Sequence, residues 1–191
     1  MKLADVDIRA ALATGRLRID PRPTEQEIGA VSVDLQLGTT FRVFVHGQTV
    51  DLAPSGGQWQ DAMEHSMTLV EIRPGEAFYL HPGAFALGIT RQRITLPNDI
   101  AGRLDGRSSL ARLGLMVHAT AHTIDPGWDG QITLEFFNCG QLLLAMRAGM
   151  HICALSFEPL LSPTSKPYAR QAGAKYRGQD TPLPSRLGRL L

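Results

Sequence analysis

Val31-Ser32-Val33-Asp34-Leu35-Gln36-Leu37 sets aliphatic side chains at every second position, with Ser, Asp and Gln between them. Successive side chains of a β-strand point to opposite faces, so this period predicts a strand with one face buried. Phe41, Val43 and Val45 continue it, and strand-like runs resume over 68–72, 77–80 and 85–90 after a polar, Gly-containing insertion over 54–66. Arg73-Pro74-Gly75-Glu76, His81-Pro82-Gly83, Asp125-Pro126-Gly127 and Arg147-Ala148-Gly149 punctuate the runs. Pro then Gly suits the central positions of a type II turn, where the first φ is fixed near −60° and the second must be positive. Short strands joined by such turns predict a mainly β fold, a sandwich or barrel. Strands do not alternate with long helices, which argues against a doubly wound α/β sheet, and neither G-x-G-x-x-G nor a Walker sequence occurs.

Two segments depart from the β pattern. Asp5 is placed to cap a short helix whose Val6, Ile8, Leu12 and Ala13 lead to a stop at Gly15. Arg107-Ser108-Ser109-Leu110-Ala111-Arg112-Leu113-Gly114 reads as a helical turn, with Leu110 and Leu113 on one face and Gly114 as its end. Beyond Pro159 the pattern fades into a Pro- and Gly-rich tail carrying Lys166, Arg170, Lys175 and Arg177. The chain thus divides into a β domain with an N-terminal helix, 1–160, and a C-terminal arm, 161–191, within a single domain.

With 191 residues, 43% of them hydrophobic and 19% charged, the chain is long enough to bury one core. Its 19 basic and 18 acidic residues leave a net charge of +1, which gives no sequence-wide reason to expect a nucleic-acid polymer or a membrane surface as partner. Any anion site must be local, and the predominance of Arg supplies forks suited to phosphate. The longest apolar run, 142–146, falls far short of the roughly 20 residues of a membrane helix. Asp5 and Asp7 interrupt any secretory-type start, so a cytoplasmic protein is expected. Cys139 and Cys153 read as buried thiols, neither a disulfide nor a metal pair.

Two places offer chemistry. The Ser108 and Ser109 hydroxyls, with the unpaired first-turn N–H groups, make an anion cradle flanked by Arg107 and Arg112; the plain alternative is a Ser cap beside two solvated arginines. In Gln131-Ile132-Thr133-Leu134-Glu135-Phe136-Phe137 the alternation puts Thr133, Glu135 and Phe137 on the face opposite Ile132, Leu134 and Phe136. A carboxylate among apolar neighbours suits general acid/base work if burial raises its pKa, whereas an ordinary strand Glu faces solvent. Asp125 is a turn former, or a site residue if its loop lies over a ligand. His118 and His122 stand four apart in strand and loop, which argues for hydrogen-bonding roles over a metal pair.

The blocks Asp105-Gly106-Arg107-Ser108-Ser109-Leu110-Ala111-Arg112-Leu113-Gly114-Leu115, Thr120-Ala121-His122, Ile124-Asp125-Pro126-Gly127-Trp128 and Thr133-Leu134-Glu135, in this order, closely resemble the bacterial dCTP deaminase family. The likeness extends to residues 1–23, to Pro159-Leu160, and to Pro167-Tyr168, Ala174-Lys175-Tyr176-Arg177 and Gln179 in the tail, so it spans essentially the whole chain. It implies a distorted β-barrel or jelly-roll of the trimeric dUTPase type with a few short helices. It also implies active sites between subunits of a homotrimer and hydrolysis of dCTP to dUTP and ammonia. By the same resemblance Glu135 is the general base, Ser108 and the Ala121 carbonyl position the water, and Arg112 lies against the base and the reacting centre. The implied nucleotide contacts are Arg107, Ser108, Ser109, Leu110, Ala111, Arg112, Asp125, Thr133, Leu134, Glu135, Tyr168, Lys175 and Gln179.

The resemblance further implies Mg²⁺ carried by the substrate triphosphate, no protein-held metal, and restraint by dTTP. Zinc base deaminases carry an H-x-E…P-C-x-x-C signature, which is lacking here, so zinc is not expected. Three alternatives stay open. A bifunctional enzyme would carry dCTP on to dUMP and pyrophosphate, although His122 stands where bifunctional members tend to have Gly. A dUTPase proper would show an aromatic residue in a Gly-rich C-terminal motif, and no aromatic follows Gly178. A non-enzymatic nucleotide-binding module would have no need of Glu135 and Arg112.

Overall fold

The structure, a computed structural model, describes residues 1–45, 47, 49, 50 and 59–187. It is mainly β, and every strand pairing is antiparallel. One sheet runs β4 (Met67–Glu71), β3 (Thr40–Phe44), β6 (Phe85–Thr95), β10 (Asp129–Asn138) and β8 (Leu115–Met116), with β1 (Arg18–Asp20) also against β6. A second runs β2 (Ser32–Gln36), β12 (His151–Pro159), β7 (Ile100–Gly106) and β9 (Thr123–Ile124); β5 (Phe78–Leu80) and β11 (Leu144–Met146) form a separate pair. The sheets stay open, and an isolated bridge between Leu37 and Thr90 stitches the two larger ones.

β6 carries two neighbours on one edge, β3 at Ala86 and Leu87 and β1 at 93–95. An irregularity makes this possible: against β10 the register passes from Gln131↔Arg93 to Thr133↔Ile89, so extra residues of β6 bulge out and bend the strand. The bulge brings Thr90 and Gln92 inside, and both are satisfied. The Thr90 hydroxyl donates to the Gln92 carbonyl and accepts from the Ile132 N–H, each at 2.9 Å, while Gln92 Oε1 accepts from the Gln36 N–H at 2.9 Å.

The core lies between the larger sheets. Phe41, Leu134 and Phe136 meet Val33, Leu35, Leu104, Leu155 and Phe157, all essentially without solvent contact. Phe41 stacks on Phe78 with ring centroids 4.1 Å apart. Gly88 leaves the space that Phe136 fills, since a Cβ there would stand 2.4 Å from the Phe136 ring. Burial of each such aromatic stabilises by about 1.5–3 kcal/mol.

The expected turns form as read. In all four the N–H of the fourth residue reaches the carbonyl of the first at 3.0–3.3 Å, with Gly75, Gly83, Gly127 and Gly149 in the left-handed region. The first helix, α1 (Asp5–Ala13), has Ala4 and not Asp5 at its cap, because the Asp7 carboxylate accepts from the Ala4 N–H and the Asp5 N–H donates to Ala30. Its buried stripe is Ile8, Ala11 and Leu12, whereas Val6 and Ala13 face solvent. Val31 and Val45, at strand ends, are exposed as well. The expected insertion contains a helix that its polar composition hid, α2 (Trp59–His65); residues 54–58 lie outside the described residues. The helical turn over 107–114 exists as α3 (Ser108–Ala111), capped by Arg107, with Leu113 exposed. Both cysteines are free, but only Cys153 is buried, and burial pushes its thiol far above the usual range; Cys139 is exposed. Among the described residues no helix is long and apolar enough to cross a membrane.

Candidate active site

Strand β10 divides its side chains between two environments. Leu134 and Phe136 go into the core, while Thr133 and Glu135 face a cavity of about 380 Å³. Ala121, Ile124 and Trp128 line it together with Tyr176 and Gln179 of the arm and the apolar side chains of Phe44, Phe85, Leu87, Met63 and Met67. The alternation in 131–137 therefore does place Glu135 in the cavity lining, half-buried.

Backbone donors hold the Glu135 strand and carboxylate. The Glu135 N–H donates to the Val117 carbonyl at 3.0 Å, and Glu135 Oε2 accepts from the Ala119 N–H at 2.8 Å. The carboxylate is thus fixed through one oxygen, and the segment 117–121 is tied to the strand beneath it. Two buried oxygens in the same lining have no protein partner: Thr133 Oγ1 and Gln179 Oε1. A buried polar atom left unpaired costs about 1–3 kcal/mol, so these two oxygens are the unspent acceptors of the lining. His118, expected to hydrogen-bond, has its Nδ1 buried without a partner, and its ring lies 5.7 Å from that of His122. Among the described residues no three His, Cys, Asp or Glu side chains cluster as a metal site.

The arm reaches the cavity through a chain of specific contacts. Tyr168 packs on Trp128 with centroids 5.1 Å apart, and its N–H donates to the Pro126 carbonyl at 2.8 Å. Burial pushes the Tyr168 phenol up, which keeps it protonated; it accepts from the Tyr176 N–H at 2.9 Å. The Gly178 N–H then donates to the Asp129 carbonyl at 3.0 Å, which lays Gln179 along β10. Two glycines admit this approach: a Cβ at Gly127 would meet Pro167 at 2.6 Å, and one at Gly130 would stand 3.2–3.3 Å from the Gln179 backbone. Asp129 beside them is gripped by the Arg93 guanidinium at 2.6 and 3.0 Å and by the Thr95 hydroxyl at 2.9 Å, and the Arg93 contact holds its carboxyl below the usual carboxylate range.

Of the expected site residues, Glu135, Thr133, Ala121 and Gln179 come together in the cavity. Leu134 faces the core and has no solvent contact, so within one chain it offers no surface to a ligand. Tyr168 stands behind Trp128, and Asp125 and Lys175 lie outside the lining next to Ile124 and Tyr176, which are in it. Ser108, Ser109, Ala111 and Arg112 are exposed, Leu110 is half-buried, and none of them lines this cavity within one chain. Arg107 is ion-paired with Asp34 of β2. Trp128 and Tyr176 were not among the expected site residues; a large aromatic directly after the 125–127 turn was the available signal for the first.

The cavity can be set beside known proteins. A sequence model of the dCTP deaminase-like family matches residues 2–160. The chain is 70% identical over 189 residues to a dCTP deaminase of Rhodospirillum rubrum, covering 98% of this chain and 97% of that protein. It is 52% identical over 190 residues to the dCTP deaminase of Alteromonas mediterranea, covering 98% and 96%. Among solved structures, 2'-deoxycytidine 5'-triphosphate deaminase from Agrobacterium tumefaciens aligns with a TM-score of 0.63 at 21% identity, over 83% of this chain and 48% of that one, a likeness of fold. The open antiparallel sheets, the carboxylate recessed on β10 and a match running through almost the whole β domain agree with one another, and the chain belongs to the dCTP deaminase-like family.

Proposed function

We propose that this chain deaminates dCTP hydrolytically to dUTP and ammonia at the cavity over β10, with Glu135 as the general base. The observation that carries the reading is the company Glu135 keeps: a carboxylate anchored through one oxygen, in one recess with the unpaired Thr133 and Gln179 oxygens, in a chain 70% identical to a dCTP deaminase. Glu135 takes a proton from water as the hydroxide bonds to C4 of cytosine, and delivers that proton to N3. Glu135 then carries the proton of the new C4 hydroxyl to the amino group, the C4–N bond breaks to release ammonia, and the C4 carbonyl of dUTP forms with the first proton kept on N3. Base catalysis of this kind contributes about 10²- to 10⁴-fold, and the remainder comes from positioning and fixed dipoles.

Ser108 and the Ala121 carbonyl are assigned to hold the water, and Arg112 to lie against the base. Ala121 is in the cavity, whereas Ser108 and Arg112 are not, an arrangement that suits a site completed by a neighbouring copy in a homotrimer. Exposed Leu113, Met116, Leu142 and Leu143 beside α3, where the Asn138 amide donates to the Leu142 carbonyl at 2.8 Å, supply an apolar face for that contact. Arg107, Ser109, Leu110, Ala111, Asp125, Tyr168 and Lys175 are assigned to the nucleotide. Mg²⁺ arrives on the triphosphate, whose oxygens and waters satisfy it. The arm, 161–191, closes over the substrate; dTTP is the expected inhibitor and the cytoplasm the expected compartment.

The test is incubation of the purified protein with dCTP and Mg²⁺, following nucleotides by anion-exchange chromatography beside an ammonia assay. Accumulating dUTP with ammonia supports the reading. dUMP with pyrophosphate and ammonia would replace it by the bifunctional reaction, and an unchanged dCTP peak would overturn it.

A further inference from the structure

Arg107 caps α3 at the end of β7, yet its side chain turns back across β12 to the carboxylate of Asp34 on β2. The strand register shows how: Asp34 lies opposite Ala154 of β12, and Cys153 lies opposite Gly106, the residue before Arg107. The pair therefore crosses β12 diagonally, from the level of Ala154 to one residue beyond the buried Cys153. Both side chains are about two-thirds buried, at 27% exposure for Asp34 and 32% for Arg107. Among the described residues Asp34 is the one acid within ion-pair distance of Arg107, and Arg107 the one base within reach of Asp34.

A free arginine samples many rotamers and loses that freedom when it grips a phosphate. Asp34 occupies Nη1 and leaves the other edge of the guanidinium, with its remaining donors, unclaimed. We propose that Asp34 is a positioning residue, which fixes the Arg107 fork in the pose that receives the substrate's phosphates and so determines affinity for the triphosphate. The proposal rests on the reading of Arg107 as a nucleotide contact and extends it to a residue on another strand. A carboxylate beside a phosphate site repels the phosphate unless its charge is committed elsewhere, and the ion pair commits it.

The test is a double-mutant cycle read as the Kd of Mg²⁺-dCTP by calorimetry in the Glu135→Gln background, where binding is measured without turnover. Asp34→Asn should weaken binding roughly tenfold, as coupled pairs do. Arg107→Gln should weaken it at least as much. The double variant should match Arg107→Gln alone, and Asp34→Glu should recover most of the affinity. With Glu135 intact, Asp34→Asn should raise KM while leaving kcat within about twofold. Circular dichroism melting of each variant verifies folding. Unchanged or tighter binding in Asp34→Asn, additive effects in the double variant, or a loss that excess Mg²⁺ restores would each overturn the proposal. If Arg107→Gln alone leaves Kd unchanged, Arg107 is no phosphate ligand and the proposal falls with that assignment. Absence of ammonia release from the wild type would overturn the activity while leaving the binding cycle readable.

Discussion

Gln179 of the arm and Gln131 of β10 exchange two hydrogen bonds: the Gln131 N–H donates to the Gln179 carbonyl at 3.0 Å, and Gln179 Nε2 donates to the Gln131 carbonyl at 2.9 Å. The exchange spends both the backbone carbonyl and the side-chain amine of Gln179 on the strand, and it leaves the remaining Oε1 buried without a protein partner on a residue of the cavity lining. A side chain on the arm thereby acquires the rigidity of a strand residue, two positions from Thr133 and four from Glu135.

This contact requires Gly130. Gly130→Val would drive a branched side chain into the Gln179 backbone, already 3.2 Å from an ideal Cβ. Displacement of the arm should raise KM for dCTP by roughly tenfold, since positioning contacts of this size are worth about 1–2 kcal/mol. Limited proteolysis should cut the variant's arm faster than the wild type's.

Glu135→Gln keeps the shape and the acceptor oxygen for the Ala119 N–H but cannot take a proton. Ammonia release should fall by at least about 10²-fold, with Kd for dCTP within about threefold of wild type. Ammonia release at the wild-type rate would remove Glu135 from the proton path.

Asp129 has its pKa depressed by the Arg93 guanidinium, so it binds its proton more weakly folded than unfolded. Its contribution to stability is complete above the ordinary carboxylate pKa of about 3.9 and is lost as pH falls through the lower folded value. The Tm difference between wild type and Asp129→Asn should be widest near neutrality and shrink below about pH 4.

Gly88→Ala would set a methyl 2.4 Å from the Phe136 ring, in backbone that otherwise tolerates alanine. Overpacking of this kind costs about 1–3 kcal/mol, and the truncation Phe136→Ala about 3–5 kcal/mol. Urea unfolding midpoints should order as wild type, Gly88→Ala, Phe136→Ala.

What the sequence disclosed is what local physics decides. The two-residue period announced the buried faces of β2 and β3, the Pro-Gly pairs announced left-handed glycines, and the same period on β10 separated Glu135 from Leu134. What it hid depends on distant chain. The cap of α1 passed from Asp5 to Ala4 because Ala30 accepts the Asp5 N–H, a contact across 25 positions. The helix α2 lay in a polar stretch where composition reads as loop. Nothing near Arg107 announces Asp34, which meets it only because β12 lies between β2 and β7. The separation of α3 from the cavity is likewise a matter of topology, invisible to motif spacing.

Among the described residues the buried hydrophobic core ends at Phe157, and the aromatics beyond it, Tyr168 and Tyr176, only lean on its outside. The arm's share of recognition is thus written outside the stretch that builds the core. Mutations after Phe157 are tried against a scaffold that already stands, so the arm is free to drift in length and sequence and to explore new ligands at little risk to the fold. Within the β domain the reverse holds: β10 carries the general base on one face and core on the other, and few changes there escape both tests.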